Sequence, residues 1–337
     1  MKVSCFKEQG GTLQLEERAR PVPGPGELLL RVHACGICHG DVSLRYGAFP
    51  FARFPIVPGH EIAGVVEQIG EGVEGFRLGD HVGLSVLFNS CGQCGACKAG
   101  AENLCPTWTW TGMMVDGGYA EYVIAKAAYV APLPPGLAFS HAAPLMCAGV
   151  TVYAGLRLAR CRPGDRVAVI ALGGLGHLGV LYARALGARV AVVSSTKSKE
   201  REALELGAER FIHMNSGEAA SALQRWEGGA DIILATAPNV ESINAALAGL
   251  APEGRAVVLG VGPGKIEVDP VALVMGQRQL MGSPAGSRRE LRETLELAAK
   301  HSIRPRIETY PLERAAEAFA AVESGKFAGR IVLVNEA

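Results

Sequence analysis

The chain lacks net charge and a long unbroken apolar run. Its 33 Lys and Arg are balanced by 33 Asp and Glu. A nucleic-acid-binding or membrane-surface protein carries a basic excess as its electrostatic footprint, so neither partner is expected. The most apolar stretch, Val167–Ala183, is broken by glycines, holds His177 and stops at Arg184. That is short and irregular for a membrane span. A buried strand, turn and helix is the expectation instead. Residues Met1 to Leu13 contain no apolar signal core, so the expected location is the cytoplasm rather than a secreted one.

What the chain has is length and apolar mass. At 337 residues and about 150 residues per domain, two domains are expected. A hydrophobic fraction of 49% is enough for large buried cores and excludes a mostly disordered chain. The 43 glycines follow no collagen period and point to many tight turns.

The texture changes along the chain. In the first half, short strand-like runs (Glu27–Val32, Ile62–Ile69, His81–Val86) are separated by Gly and Pro, which suggests an irregular, antiparallel, barrel-like domain. From about Pro163, strand and helix patterns alternate: Val167–Ala171 then Leu175–Leu186, Arg189–Val193 then Ser198–Leu206, Asp231–Ala235 then Ser242–Leu250, and Arg255–Gly260. Near-continuous apolar strands alternating with helices predict a parallel sheet covered on both faces. After about Ser283 come a helix pattern (Arg288–Lys300), a shorter one (Leu312–Ser324) and a last strand (Arg330–Val334).

Nine cysteines, with no sign of secretion, imply thiols that bind metal or stay free. Four fall within 15 residues, as Cys91-Gly-Gln-Cys94-Gly-Ala-Cys97 and then Cys105. Two residues between thiolates let successive sulfurs converge on one ion, and a fourth closes a tetrahedron. Zinc favours that closed, sulfur-rich shell, which marks a structural site. An iron–sulfur cluster uses the same four thiolates and is the alternative.

A second set is dispersed. Cys35-Gly-Ile-Cys38-His39-Gly40-Asp41 follows a strand, Gly59-His60-Glu61 comes some twenty residues later, and Cys147 sits just before the alternating half. Together they bring thiolate, imidazole and carboxylate to strand ends. Three ligands from distant segments leave a fourth position for water or substrate, as a catalytic zinc requires.

A glycine turn carries the third signal. Val167–Ala171 runs into Leu172-Gly173-Gly174-Leu175-Gly176-His177-Leu178-Gly179 and a helix. Such a turn lets backbone approach a pyrophosphate at a helix N-terminus. Its context, strand before and helix after, is what the motif requires. Ala171 replaces the first glycine of GxGxxG; a methyl is accommodated there if φ is negative. The next strand ends Ser194-Ser195-Thr196-Lys197-Ser198-Lys199, with no acid before Glu200. An NAD site places Asp or Glu here for the ribose hydroxyls. Hydroxyls and lysines suit a 2′-phosphate, and the same Ser and Thr also suit a helix cap. NADP(H) is favoured over NAD(H).

These motifs, in this order and at these spacings, resemble the zinc-dependent medium-chain alcohol dehydrogenases. The resemblance spans nearly the whole chain and adds Gly79–Val82 (GDHV), Asp116–Val123 (DGGYAEYV) and Leu145–Tyr153 (LMCAGVTVY). It is nearest the bacterial alcohol dehydrogenases and cinnamyl-alcohol-type aldehyde reductases. It implies an α/β fold: a Rossmann-type doubly wound parallel sheet at 149–283, plus a β-rich GroES-like catalytic domain with a zinc lobe at 1–148 and 284–337. It implies two zinc ions per chain. Cys38, His60 and Cys147 would hold the catalytic one, with Glu61 as an exchanging carboxylate and Asp41 orienting His60. Cys91, Cys94, Cys97 and Cys105 would hold the structural one, and Cys5, Cys35 and Cys161 would be free. The nucleotide would meet Thr151, Gly173, Gly174, Leu175, Gly176, Ser194, Ser195, Thr196 and Lys199. The reaction would be reversible hydride transfer between NADP(H) and a primary alcohol or aldehyde. A dimer or tetramer would form through the edges at Arg255–Val261 and Gln279–Gly282.

One departure stands out. Where the family commonly has a Ser or Thr to pass the alcohol proton outward, this chain has Gly40, and a His three residues on is Ser43. His39, or water near Ser43, is the expected substitute. Leu87, Phe88, Trp108 and Trp110 either line an apolar cleft for aromatic or medium-chain aldehydes or pack the zinc lobe. The rival readings are an NAD-dependent alcohol dehydrogenase and a non-catalytic zinc- and nucleotide-binding relative.

Overall fold

The computed structural model describes residues 1–214, 218–325, 327 and 329–335. The chain forms two compact units, Met1–Cys147 with Ser287–Ala337, and Ala148–Gly286.

The first unit is built on a seven-stranded sheet. Its strands are β3 (Glu27–Ile37), β4 (Glu61–Ile69), β5 (His81–Leu84), β8 (Tyr122–Lys126), β9 (Val130–Pro132), β16 (Ile307–Pro311) and β17 (Arg330–Val334). The order is β16-β17-β3-β4-β5-β9, with β8 also pairing to β3. Every pairing is antiparallel except β16 with β17. A hairpin, β1 (Lys2–Phe6) and β2 (Leu13–Glu17), lies beside it, as does a short pair, β6 (Leu87–Asn89) and β7 (Thr109–Trp110). Leu28, Leu30, Ile62, Val82 and Leu84 face one buried core with Phe6, Tyr119 and Phe319.

Register decides what this unit can do. β3 runs antiparallel to both β4 and β17, with Gly36 opposite Glu61 and Ile37 opposite Ile331. The end of β3, the start of β4 and the start of β17 therefore meet at one sheet end. Cys38 follows β3, His60 precedes β4, and Glu61 and Arg330 open β4 and β17.

The second unit is an all-parallel, six-stranded sheet: β10 (Arg166–Ile170), β11 (Arg189–Ser194), β12 (Arg210–His213), β13 (Ala230–Ala235), β14 (Leu250–Val258) and β15 (Gln279–Gly282). Its order, β12-β11-β10-β13-β14-β15, is the doubly wound Rossmann order. Val167 to Ile170 are all fully buried, as a central parallel strand covered on both faces should be.

Some expected boundaries shift. The helix expected at Ser242–Leu250 runs from Val240 to Leu247, because the Asn239 side chain accepts from Ser242 N at 2.8 Å and caps it earlier. Leu250 already belongs to β14, whose pairing with β13 slips between Ala230 and Ile232. The helix expected at Ser198–Leu206 is α-helical only over Glu200–Glu205, behind a 3₁₀ turn at Lys197–Lys199. The helix Ala148–Leu158 and strand β12 had no expectation attached to them. The former is apolar nearly all round, so it shows no amphipathic period to read.

Among the described residues, no single helix is long and apolar enough to cross a membrane.

Candidate metal and nucleotide sites

The dispersed donors converge within the first unit. Cys38, His60, Glu61 and Cys147 each offer one ligand atom, all within 4.8 Å of one another. The Cys38 and Cys147 sulfurs are 3.9 Å apart. Two thiolates on one tetrahedral zinc at about 2.3 Å stand about 3.8 Å apart, so this spacing fits the ion. It is far too long for a disulfide, and all nine cysteines are free.

Local structure sets each donor. Cys38 is the N-cap of helix α1 (His39–Arg45), and its sulfur accepts from Gly40 N at 3.3 Å. Asp41 closes the capping box, accepting from Cys38 N at 2.9 Å. The same fully buried carboxylate accepts from Tyr119 Oη at 3.0 Å and from Gly59 N at 3.3 Å. His60 Nδ1 lies 3.2 Å from Asp41 Oδ1, outside good hydrogen-bond geometry. With Nδ1 turned to Asp41, Nε2 is the nitrogen left for a metal, the arrangement in which a carboxylate orients a ligating imidazole.

Glu61 is fully buried and is paired with Arg330, whose Nη2 donates to Glu61 Oε1 and also to Ile37 O at 3.3 Å. Its other oxygen, Oε2, is buried with no hydrogen-bond partner. A buried carboxylate oxygen without a partner is costly, and a cation among these four donors would satisfy it. Gly36 makes the room, since a Cβ there would overlap that same oxygen.

The electrostatics agree. A hydrogen bond from Cys147, backed by His60 and Arg330, holds the Cys38 thiol well below its ordinary value in spite of burial. The charge left on Cys38, together with burial, pushes Cys147 well up. Burial opposes an imidazolium at His60, but Asp41 and Cys38 outweigh it and hold the ring well above its usual value. Burial pushes Glu61 up to about 7 against the pull of Arg330. Without a metal the pocket therefore retains protons, and a dication would displace them.

Gly40 faces this pocket. A Cβ there would lie 3.3 Å from His60 Cε1 and 3.7 Å from both Cys38 Sγ and His60 Nε2. Its backbone φ is not positive, so glycine is not required for conformation. What it leaves is space beside the donors. His39 is exposed at the first position of α1.

The lobe brings Cys91, Cys94, Cys97 and Cys105 within the same 4.8 Å limit. Cys91 and Cys97 sulfurs are 3.9 Å apart. Backbone N–H groups face the sulfurs, with Cys94 N donating to Cys91 at 3.3 Å, Cys97 N to Cys94 at 3.5 Å and Cys91 N to Cys105 at 3.4 Å. The Cys91 N–H draws the Cys105 thiol down to about 6. Against its Cys97 N–H donor, burial and the neighbouring thiols push Cys94 up to about 11. A cation among the four sulfurs would therefore displace protons, and four protein donors leave no place for a substrate. Leu87 and Phe88 are buried, whereas Trp108 and Trp110 are half-buried and stack at 4.2 Å. Phe51 meets both indoles edge-on, at 4.8 and 5.1 Å.

In the second unit, β10 leads into the glycine turn and the helix Gly176–Ala185. That helix begins without a side-chain cap, and a helix start after a glycine turn is where an anion is favoured. Gly176 is demanded by closeness, because a Cβ there would overlap the Ala171 carbonyl. The expectation of a negative φ at Ala171 is overturned. Its φ is +71°, the left-handed region that glycine occupies without strain. The turn keeps its shape because Ala171 N donates to Val193 O at 2.7 Å and Thr236 Oγ1 donates to Ile170 O at 2.7 Å. Ser194 is buried and accepts from Thr196 N at 3.2 Å, while Ser195 and Thr196 are exposed. Lys199 Nζ donates to Leu172 O at 2.7 Å, which draws the ammonium to the glycine turn. Thr151 is buried within the helix Ala148–Leu158.

Sequence reasoning missed Arg330 and Tyr119 as supports. Arg330 opens an otherwise apolar strand, Arg-Ile-Val-Leu-Val, and that lone charge was the available signal. Tyr119 lay inside the quoted DGGYAEYV motif without an assigned task.

Fold and donor sets together define a zinc-binding dehydrogenase. Comparisons with known proteins agree. Residues 24–135 match the alcohol dehydrogenase GroES-like domain and residues 174–300 match the zinc-binding dehydrogenase domain. An alcohol dehydrogenase of Geobacillus stearothermophilus is 36% identical over 334 residues, covering 99% of both chains. A solved cinnamyl alcohol dehydrogenase of Sorghum bicolor superposes with a TM-score of 0.90 at 30% identity, over 99% of this chain and 97% of that one. The Helicobacter pylori CAD, solved with NADP(H), gives a TM-score of 0.89 at 28% identity, over 99% and 97%. The chain belongs to the zinc-type medium-chain alcohol dehydrogenase family.

Proposed function

We propose that this protein interconverts primary alcohols and aldehydes with NADP(H): alcohol and NADP⁺ give aldehyde, NADPH and a proton. The observation that carries the reading is the buried meeting of Cys38, His60, Glu61 and Cys147. When bound there, zinc supplies Lewis acidity to the substrate oxygen, and the nicotinamide exchanges the hydride. Cys38, His60 and Cys147 hold the ion. Glu61, steadied by Arg330, is the carboxylate that can take or leave a ligand position. Asp41 fixes the imidazole, and Tyr119 fixes Asp41. With no side chain at Gly40, the substrate proton passes to water and to His39 on the same turn of α1. Cys91, Cys94, Cys97 and Cys105 would hold a second zinc, which would cross-link the lobe.

The uncapped helix start and the glycine turn, Gly173 to Gly176, take the pyrophosphate, with Thr151 contributing from its own helix. Ser194, Ser195, Thr196 and Lys199, with no acid among them, favour the 2′-phosphate of NADP(H). Lys199 gives one of its three hydrogens to Leu172 O and keeps two. Trp108 and Trp110, only half-buried, offer apolar faces for an aromatic or medium-chain substrate. β15 is an edge strand, and the nearby helix Pro270–Met275 exposes Val271, Val274 and Met275. An unpaired edge beside exposed apolar residues suits pairing with a second copy, so a homodimer or homotetramer is our reading. Nine free thiols suit a reducing compartment such as the cytoplasm.

The test is loss of reduced-nicotinamide absorbance with benzaldehyde or cinnamaldehyde. Faster oxidation of NADPH than NADH, abolished by a chelator, supports the reading. A preference for NADH would overturn the cofactor assignment. Zinc retained with no turnover on any aldehyde would favour a binding protein, for which the absent side chain at Gly40 is the observation in hand.

A further inference from the structure

We propose that His213 is a specificity residue of the nucleotide site, adding a donor to the phosphate that distinguishes NADP(H) from NAD(H). This rests on the NADP(H) reading above.

β12 lies beside β11 in parallel register, with Ser194 opposite His213. The two strands therefore finish side by side, and on open parallel sheets ligands bind outside the carboxyl ends of the strands. His213 is the last residue of β12. Its Nε2 lies 3.1 Å from the Ser195 carbonyl oxygen. A carbonyl only accepts, so this nitrogen carries a hydrogen and the ring is held against the Ser194–Thr196 turn. Met214 N donates to Ser194 O at 2.9 Å and secures the same corner.

The turn thus has two flanks. On one, Lys199 is drawn to Leu172 O. On the other stands an imidazole. Between them, Ser195 and Thr196 expose their hydroxyls, and the first acid along the chain is Glu200. A dianionic phosphate here meets hydroxyl donors, an ammonium and the imidazole N–H that now lies against Ser195 O. The ribose hydroxyl of NAD(H) brings no charge to answer these donors.

Calorimetry of the intact protein with 2′,5′-ADP and with 5′-ADP separates the possibilities. The wild type should bind 2′,5′-ADP the more tightly. His213→Ala should cut that preference roughly 5- to 10-fold, the size of one charge-assisted hydrogen bond at a partly exposed site. Affinity for 5′-ADP should change less than about twofold. His213→Gln keeps a donor for the Ser195 carbonyl but no imidazole ring, so it should hold 5′-ADP and lose most of the preference. If both variants keep the wild-type preference, or lose both ligands in equal proportion, His213 only supports the turn and the inference falls. If the wild type itself shows no preference, the NADP(H) reading fails first.

Discussion

The two cysteine-bearing sites of the first unit are assembled in opposite ways. The lobe takes four donors from 15 consecutive residues and supports its sulfurs with backbone N–H groups from the same loop. The other site draws donors from positions 38, 60, 61 and 147 and supports them with buried charges, Asp41 and Arg330. A local shell needs only spacing and small residues. A dispersed shell needs a sheet register, because the antiparallel alignment of β3 with β4 and β17 brings Cys38, His60, Glu61 and Arg330 to one end. That second design has no side chain at Gly40 beside its donors, and a position left for substrate is what a catalytic metal requires.

Variants can break this contrast. The largest effect should come from His60→Ala, which removes a donor at the open site. Aldehyde reduction should fall by about three orders of magnitude or more, while the lobe keeps its metal; activity within tenfold of wild type would contradict the assignment. Next comes Arg330→Met. It leaves Glu61 as a buried, unpaired carboxylate, a loss of about 3–5 kcal/mol in unfolding free energy by denaturant titration. An unchanged midpoint would show that Glu61 does not depend on the pair. Cys105→Ser opens the closed shell instead. It should release the lobe metal and lower the melting temperature, yet the Cys38 site should still hold its own ion by elemental analysis.

How far each site was legible follows from its construction. The lobe was readable from spacing alone, and the parallel sheet from the alternation of apolar runs. Cys38, His60 and Cys147 stood among dispersed metal-ligand candidates, and only a family resemblance singled them out as the three ligands, since nothing local ties position 147 to position 38. The tasks of Arg330 and Gly36 were not legible, although the lone charge opening an apolar strand marked Arg330 as unusual. Their tasks exist only once the register places Glu61 against both. Ala171 was misread for a related reason. A sequence shows the missing glycine but not the φ of +71° that the turn imposes on its replacement.

Smaller effects sharpen the picture. Tyr119→Phe removes the hydroxyl that donates to Asp41 and should cost about 1 kcal/mol of stability, with a modest rise in KM if the His60 ring loosens. Ala171→Gly should relieve the left-handed strain and stabilise the second unit by up to about 1 kcal/mol, leaving the metal sites untouched. A destabilised Ala171→Gly protein would mean that the methyl packs usefully.

The most direct test counts zinc per chain in the wild type and in Cys38→Ser. Two ions are expected in the first and one in the second, with the survivor lost on further mutation of Cys105. Two ions retained in Cys38→Ser, or only one in the wild type, would contradict the claim that the dispersed donors form a metal site.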